Sequence, residues 1–98
     1  MTLRITEHGR ERVRKRLNIK KKAVDRVAIN AFEKGKKHSD FSGKFRRYLD
    51  GVFLRHCTAT NMRVHGHHLF IFDNDTLVTA WIVPPEFRSL AERAGRAA

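Results

Sequence analysis

Two periodicities divide the chain. Up to about residue 56 the apolar positions recur at helical spacing, and from Asn61 onward they alternate. Thr6 is placed to cap a first helix, with Glu7 in the first turn, where the helix dipole favours an anion. Val13 and Leu17, preceded by Leu3 and Ile5, give this helix only a narrow apolar stripe. Glu11 and Lys15 support it as an i,i+4 pair. A break at Asn18-Ile19 leads to a second helix over about Lys20–Lys34. There Ala23, Val24, Val27, Ala28, Ala31 and Phe32 make the stripe of a core-facing helix, and Gly35 follows as its stop.

Residues 38–43 have the composition of a loop. Phe45, Tyr48, Leu49, Val52 and Phe53 then share one face of a third helical pattern, about Lys44–His56. Asp50-Gly51 is also a type I′ turn signal, so a β-hairpin is the alternative there; the helix is preferred. Beyond it, Met62 and Val64 precede the turn at His65-Gly66. Leu69–Phe72, a polar turn at Asp73-Asn74-Asp75, and Thr76–Val83 complete an antiparallel meander that Pro84-Pro85 closes.

The expected fold is α+β: two or three N-terminal helices packed on one face of a C-terminal antiparallel β-meander of three to four strands. Residues 1–90 make a single domain, with 91–98 a disordered tail. A period of two puts Thr79 on one face with Leu77 and Trp81. It sends Phe70 and Phe72 to one side of the sheet and Leu69 and Ile71 to the other. Helices on one face alone would leave an apolar row bare, which predicts a homodimer or a protein partner covering the sheet.

Charge changes the picture from fold to partner. The 98 residues carry a formal net charge of +11, and the excess lies entirely in the first half. Residues 1–22 hold nine Lys/Arg against Glu7 and Glu11, and residues 34–47 hold six against Asp40; residues 48–98 balance five with five. Such a surface favours a polyanion, RNA or DNA, over a membrane. No apolar run is long enough to span a bilayer and no secretory h-region follows Arg4, so a cytoplasmic protein is expected. The single Cys57 excludes an intrachain disulfide and reads as a packed side chain.

His8, Arg12 and Arg16 fall at i, i+4 and i+8, which stacks an imidazole and two guanidiniums on one helix face. An anion lying across them would relieve their repulsion. Histidine can exchange a proton near neutral pH, and arginine clamps phosphate oxygens in bidentate fashion. That pattern suits phosphodiester chemistry as well as plain phosphate binding. Lys36, Lys37, His38, Lys44, Arg46 and Arg47 are the further candidates for backbone contacts, and Tyr48 could stack on a base. His65, His67 and His68 suggest a metal, but with no Cys or acidic residue close by they read better as a polar turn.

These residues carry a resemblance. Ile5-Thr6-Glu7-His8 followed by Arg12 and Arg16-Leu17 resembles the N-terminal helix of small prophage and toxin-like proteins of the RelE-like branch of the barnase–EndoU–colicin–RelE fold. Leu69–Phe72, the polar turn, Thr76–Thr79 and Val83-Pro84 are similar to that group's last two strands, so the likeness covers roughly residues 3–85. It implies a metal-independent endoribonuclease in which the ribose 2′-hydroxyl attacks the neighbouring phosphorus and leaves a 2′,3′-cyclic phosphate. His8, Arg12 and Arg16 match the helix motif, and Thr79 matches a small hydroxyl residue of the final strand. The resemblance implies RNA, bound alone or on the ribosome, as substrate. It implies an antitoxin or host protein as partner, and no metal or organic cofactor. A non-catalytic nucleic-acid-binding prophage protein is the alternative the same basic face allows.

Overall fold

The computed structural model describes residues 3–55 and 61–91. Helix α1, Glu7–Leu17, begins as the sequence predicts: the Thr6 hydroxyl accepts a hydrogen bond from the Gly9 amide at 3.1 Å. It ends at Asn18 in the left-handed conformation, which supplies the break before α2, Lys21–Lys34. Gly35 ends α2 with an extended backbone (φ −67°) rather than a left-handed cap. Its missing side chain answers a close approach instead, because a Cβ there would run into the Ala31 carbonyl and Arg63.

Strand β1, Lys36–Lys37, precedes the expected loop, within which a 3-10 turn forms at His38–Asp40. Helix α3 then runs unbroken over Gly43–Arg55, through Asp50-Gly51, so no hairpin forms there. His56 and Cys57 lie outside the described residues. Strands β2 (Asn61–His65), β3 (His68–Asp73) and β4 (Thr76–Ile82) form the predicted meander. With β1 they make a four-stranded antiparallel sheet in the order β1-β2-β3-β4. Two-residue loops join β2 to β3 and β3 to β4, and Gly66 and Asn74 take the positive φ these turns need. Arg4 adds a single parallel bridge to Thr76 on the far edge of β4.

The α+β class with helices ahead of an antiparallel sheet is therefore observed, but the helices divide between its faces. Phe70, Phe72, Leu77 and Ala80 pack with Val13, Leu17, Val24, Ala28 and Ala31 of α1 and α2. Met62, Val64, Leu69 and Ile71 pack with Phe41, Phe45, Leu49 and Val52, so α3 covers the second apolar row from within the chain. That cover is why both faces of β3 can be apolar. The last described residues join the same layer, and residues 92–98 of the expected tail lie outside the described residues. Phe87 sits against Phe45 and Tyr48, and Ala91 is buried, so this segment has a core that its sparse pattern did not reveal.

One register feature overturns a simple period of two. Ile71 pairs with Thr79 but Phe72 pairs with Leu77, so Val78 is an extra residue in β4. This bulge sends Leu77 into the α1/α2 core. Thr79 and Trp81 instead pair with Ile71 and Leu69 of the α3-side core, so the three do not share a face.

Ion pairs join the basic helices at the surface. Arg10 bridges α1 to Asp25 of α2 at 2.9 Å and also pairs with Glu7, while Arg14 pairs with Glu11. Asp25 is held below the usual carboxylate range by its hydrogen bond from Arg10, and Glu11 by that from Arg14. Asp50 is lowered by its contact with His38 and then by Arg46. A carboxylate with a depressed folded-state pKa stabilises the fold above its ordinary value, 3.8 for Asp and 4.5 for Glu, and loses that contribution as pH falls. The melting temperature should therefore hold between pH 7 and about 5 and decline below about 4.5. Asp25→Asn should remove part of that decline, and added salt should shrink it, because these pairs face solvent. Thermal melts across that range check all three effects.

Candidate functional site

Of the predicted residues, Arg16 and Thr79 meet where α1 crosses β4. The helix lies very close to the strand: a Cβ on Gly9 would come within 2.5 Å of the Leu77 carbonyl oxygen, so only glycine permits this approach. Val13 and Leu17 anchor the same helix against Leu77 and Ala80. His8, Arg12 and Arg16 are left on the exposed side. Arg10 and Arg14, in contrast, are occupied by Glu7, Asp25 and Glu11. His8 and Arg12 have no hydrogen-bond or ion-pair partner among the described residues.

Arg16 is fixed. Its Nη1 donates to the Thr79 hydroxyl at 2.6 Å, and its guanidinium carbon lies 3.8 Å from the centre of the Trp81 ring. Among the described residues no carboxylate pairs with it, so a neutral acceptor and an aromatic face hold its charge in place. Thr79 is only 1% exposed. Its hydroxyl is spent on Arg16, and it orients the guanidinium rather than meeting a ligand itself. Sixty-three positions separate these two residues, and only the α1–β4 crossing brings them together.

Beside Trp81, on the α3 side of the sheet, lies a cleft of about 330 Å³ lined by Tyr48, Val52, Arg55 and Trp81. Tyr48 stacks on Phe45, with ring planes 10° apart, and packs against Phe87 at 5.1 Å. Burial raises the Tyr48 phenol above its usual pKa, with the Arg55 charge acting the other way, so the ring stays neutral at physiological pH. Sequence pattern marks neither Arg55 nor Trp81 as a site residue, although it places Trp81 on one face with Thr79. The signal that could have marked Trp81 was its place two residues after Thr79 on an edge strand.

The second group of basic candidates is placed elsewhere. Lys36 and Lys37 lie on β1, at the opposite sheet edge from β4, roughly 14 Å away at ordinary strand spacing. His38 is engaged by Asp50 at 2.5 Å. Arg46 bonds Asp50 at 3.2 Å and the Phe41 carbonyl at 3.3 Å, so both side chains brace α3 against the preceding turn. Lys44 and Arg47 remain exposed on α3. Lys44 and Arg47 lie near the start of α3 and Arg55 at its end beside the cleft, with no basic residue in the seven positions between Arg47 and Arg55.

Another open groove, lined by Arg10, Lys20, Lys21, Lys22 and Asp25, runs between α1 and α2. His68 at the β2–β3 turn is half-buried, and burial lowers its pKa, aided by His67 and His65. Among the described residues, no three His, Cys, Asp or Glu side chains gather as metal ligands, and no helix is long and apolar enough to cross a membrane. Comparison with protein-family models, curated proteins and solved structures returned no match.

Proposed function

We propose that the protein is a metal-independent endoribonuclease that binds RNA across the exposed face of α1. The observation that carries this reading is the guanidinium of Arg16, fixed by Thr79 and Trp81 and without a carboxylate partner among the described residues. An oriented guanidinium of this kind stabilises charge that develops on a phosphate without having to reorganise. Arg12, one turn back on the same face, would take a second phosphate oxygen.

His8, one turn further, supplies the proton exchange. The 2′-hydroxyl attacks phosphorus, the P–O5′ bond breaks, and a 2′,3′-cyclic phosphate and a free 5′-hydroxyl result. His8 would accept the 2′-hydroxyl proton or deliver one to the leaving oxygen. Lys44 and Arg47, with Lys36 and Lys37 further out, extend the phosphate track, and Thr79 acts by positioning Arg16. The resemblance to RelE-like toxins agrees with this assignment and with a cytoplasmic site of action. An antitoxin, in this reading, would cover the α1–β4 face, since α3 already fills the sheet's second row.

The test is incubation of purified protein with mixed-sequence RNA in excess EDTA, followed by mass analysis of the fragments. Fragments ending in 2′,3′-cyclic phosphate are expected. One observation favours a second reading, a non-catalytic RNA-binding module: His8 is exposed and nothing among the described residues orients its ring. Intact RNA that is retarded on a gel would select that reading.

A further inference from the structure

We propose that the cleft between α3 and β4 is a nucleobase subsite. It would take one unpaired base of an RNA strand between Tyr48 and Trp81, while the adjoining phosphate rests on Arg16. The inference rests on the reading of the Arg16 face as an RNA-phosphate site and names what that site adds: a requirement for single-stranded substrate.

Three features support it. The cleft's size, about 330 Å³, falls at the low end of small-ligand sites, which run from about 300 to 1,000 Å³. Its walls are chemically matched to a base, with two aromatic rings for the π-faces, the Val52 side chain, and the Arg55 guanidinium at the rim. Finally, Trp81 belongs to both places: it lines the cleft and carries the Arg16 guanidinium at 3.8 Å. A base in the cleft therefore sits next to the fixed charge, as base and phosphate do within one nucleotide.

The walls are also preorganised. Phe45 and Phe87 hold the Tyr48 ring, so a base would not have to pay for ordering it. A base still paired in a duplex cannot enter, because its faces are covered by its neighbours and its edge by its partner.

Trp81 is the only tryptophan in the sequence, so its fluorescence reports on this cleft without background. The full chain would be titrated with a single-stranded pentaribonucleotide and with an abasic phosphodiester of the same length and charge. Binding of the base-bearing strand should change Trp81 emission and be about five- to a hundredfold tighter than the abasic one. Tyr48→Leu should erase most of that preference and Tyr48→Phe should keep it. Arg55→Gln, at an exposed position that leaves the core intact, should weaken the base-bearing strand severalfold. Equal affinity for the two strands with unchanged Trp81 emission would overturn the subsite and leave phosphate binding standing, as would equal response to a duplex of the same sequence. Failure of both strands to bind would overturn the subsite together with the Arg16 reading beneath it.

Discussion

Replacing His8 with Gln is expected to lower RNA cleavage by about 10²- to 10⁴-fold, the usual contribution of a general acid or base, while RNA affinity and melting temperature stay as they were. The position makes this a clean separation. His8 is exposed and has no partner among the described residues, so its loss removes no packing and strands no buried group. Glutamine keeps hydrogen-bonding capacity but cannot exchange a proton near neutral pH. Thr79→Val provides the contrast. It keeps the shape of the buried side chain but removes the acceptor that fixes Arg16. Activity should fall less than in the His8 variant, and the pH profile should keep its form, because the proton-exchanging group is untouched. Single-turnover cleavage, a filter-binding isotherm and a thermal melt on the three proteins decide the matter. A His8→Gln protein that cleaves at the parent rate would remove His8 from the chemistry.

The helices and the three long strands were legible because their apolar residues are periodic and their ends carry recognisable chemistry: Thr6 as a cap, Asn18 and Gly66 at positive φ, Pro84-Pro85 as a stop. β1 was not, since two lysines carry no pattern; the edge of β2 makes a strand of them. The bulge at Val78 was hidden for a related reason. A bulge belongs to the pairing of two strands, and β4 alone shows an ordinary strand sequence. The helix face of His8, Arg12 and Arg16 follows from spacing alone. What Arg16 touches does not, because Thr79 and Trp81 reach it only through the α1–β4 crossing. His38 and Arg46 show the opposite limit. Composition marked them as phosphate ligands, but Asp50, which the helix of α3 brings to both, already occupies them.

Leu49→Ala should cost about 2–5 kcal/mol of stability, as deletions of buried leucine do. That is a large share of the roughly 5–15 kcal/mol that holds a domain of this size. The expectation follows from how the sheet is covered. Leu49 is fully buried in the layer where α3 meets Met62, Val64, Leu69 and Ile71. If that apolar row were instead exposed and awaiting a partner, α3 would pack loosely and the substitution would cost little. Because the sheet is common to both layers, the loss should appear as one cooperative transition rather than as local release of α3. With a urea dependence of about 1–3 kcal/mol per M, the midpoint should fall by roughly 1 M or more at an unchanged slope. A shift well under that, or a transition split in two, would mean that α3 is an appendage. The floor of the cleft beside Trp81 would then lose its rigidity, because Tyr48 and Val52 ride on the same helix.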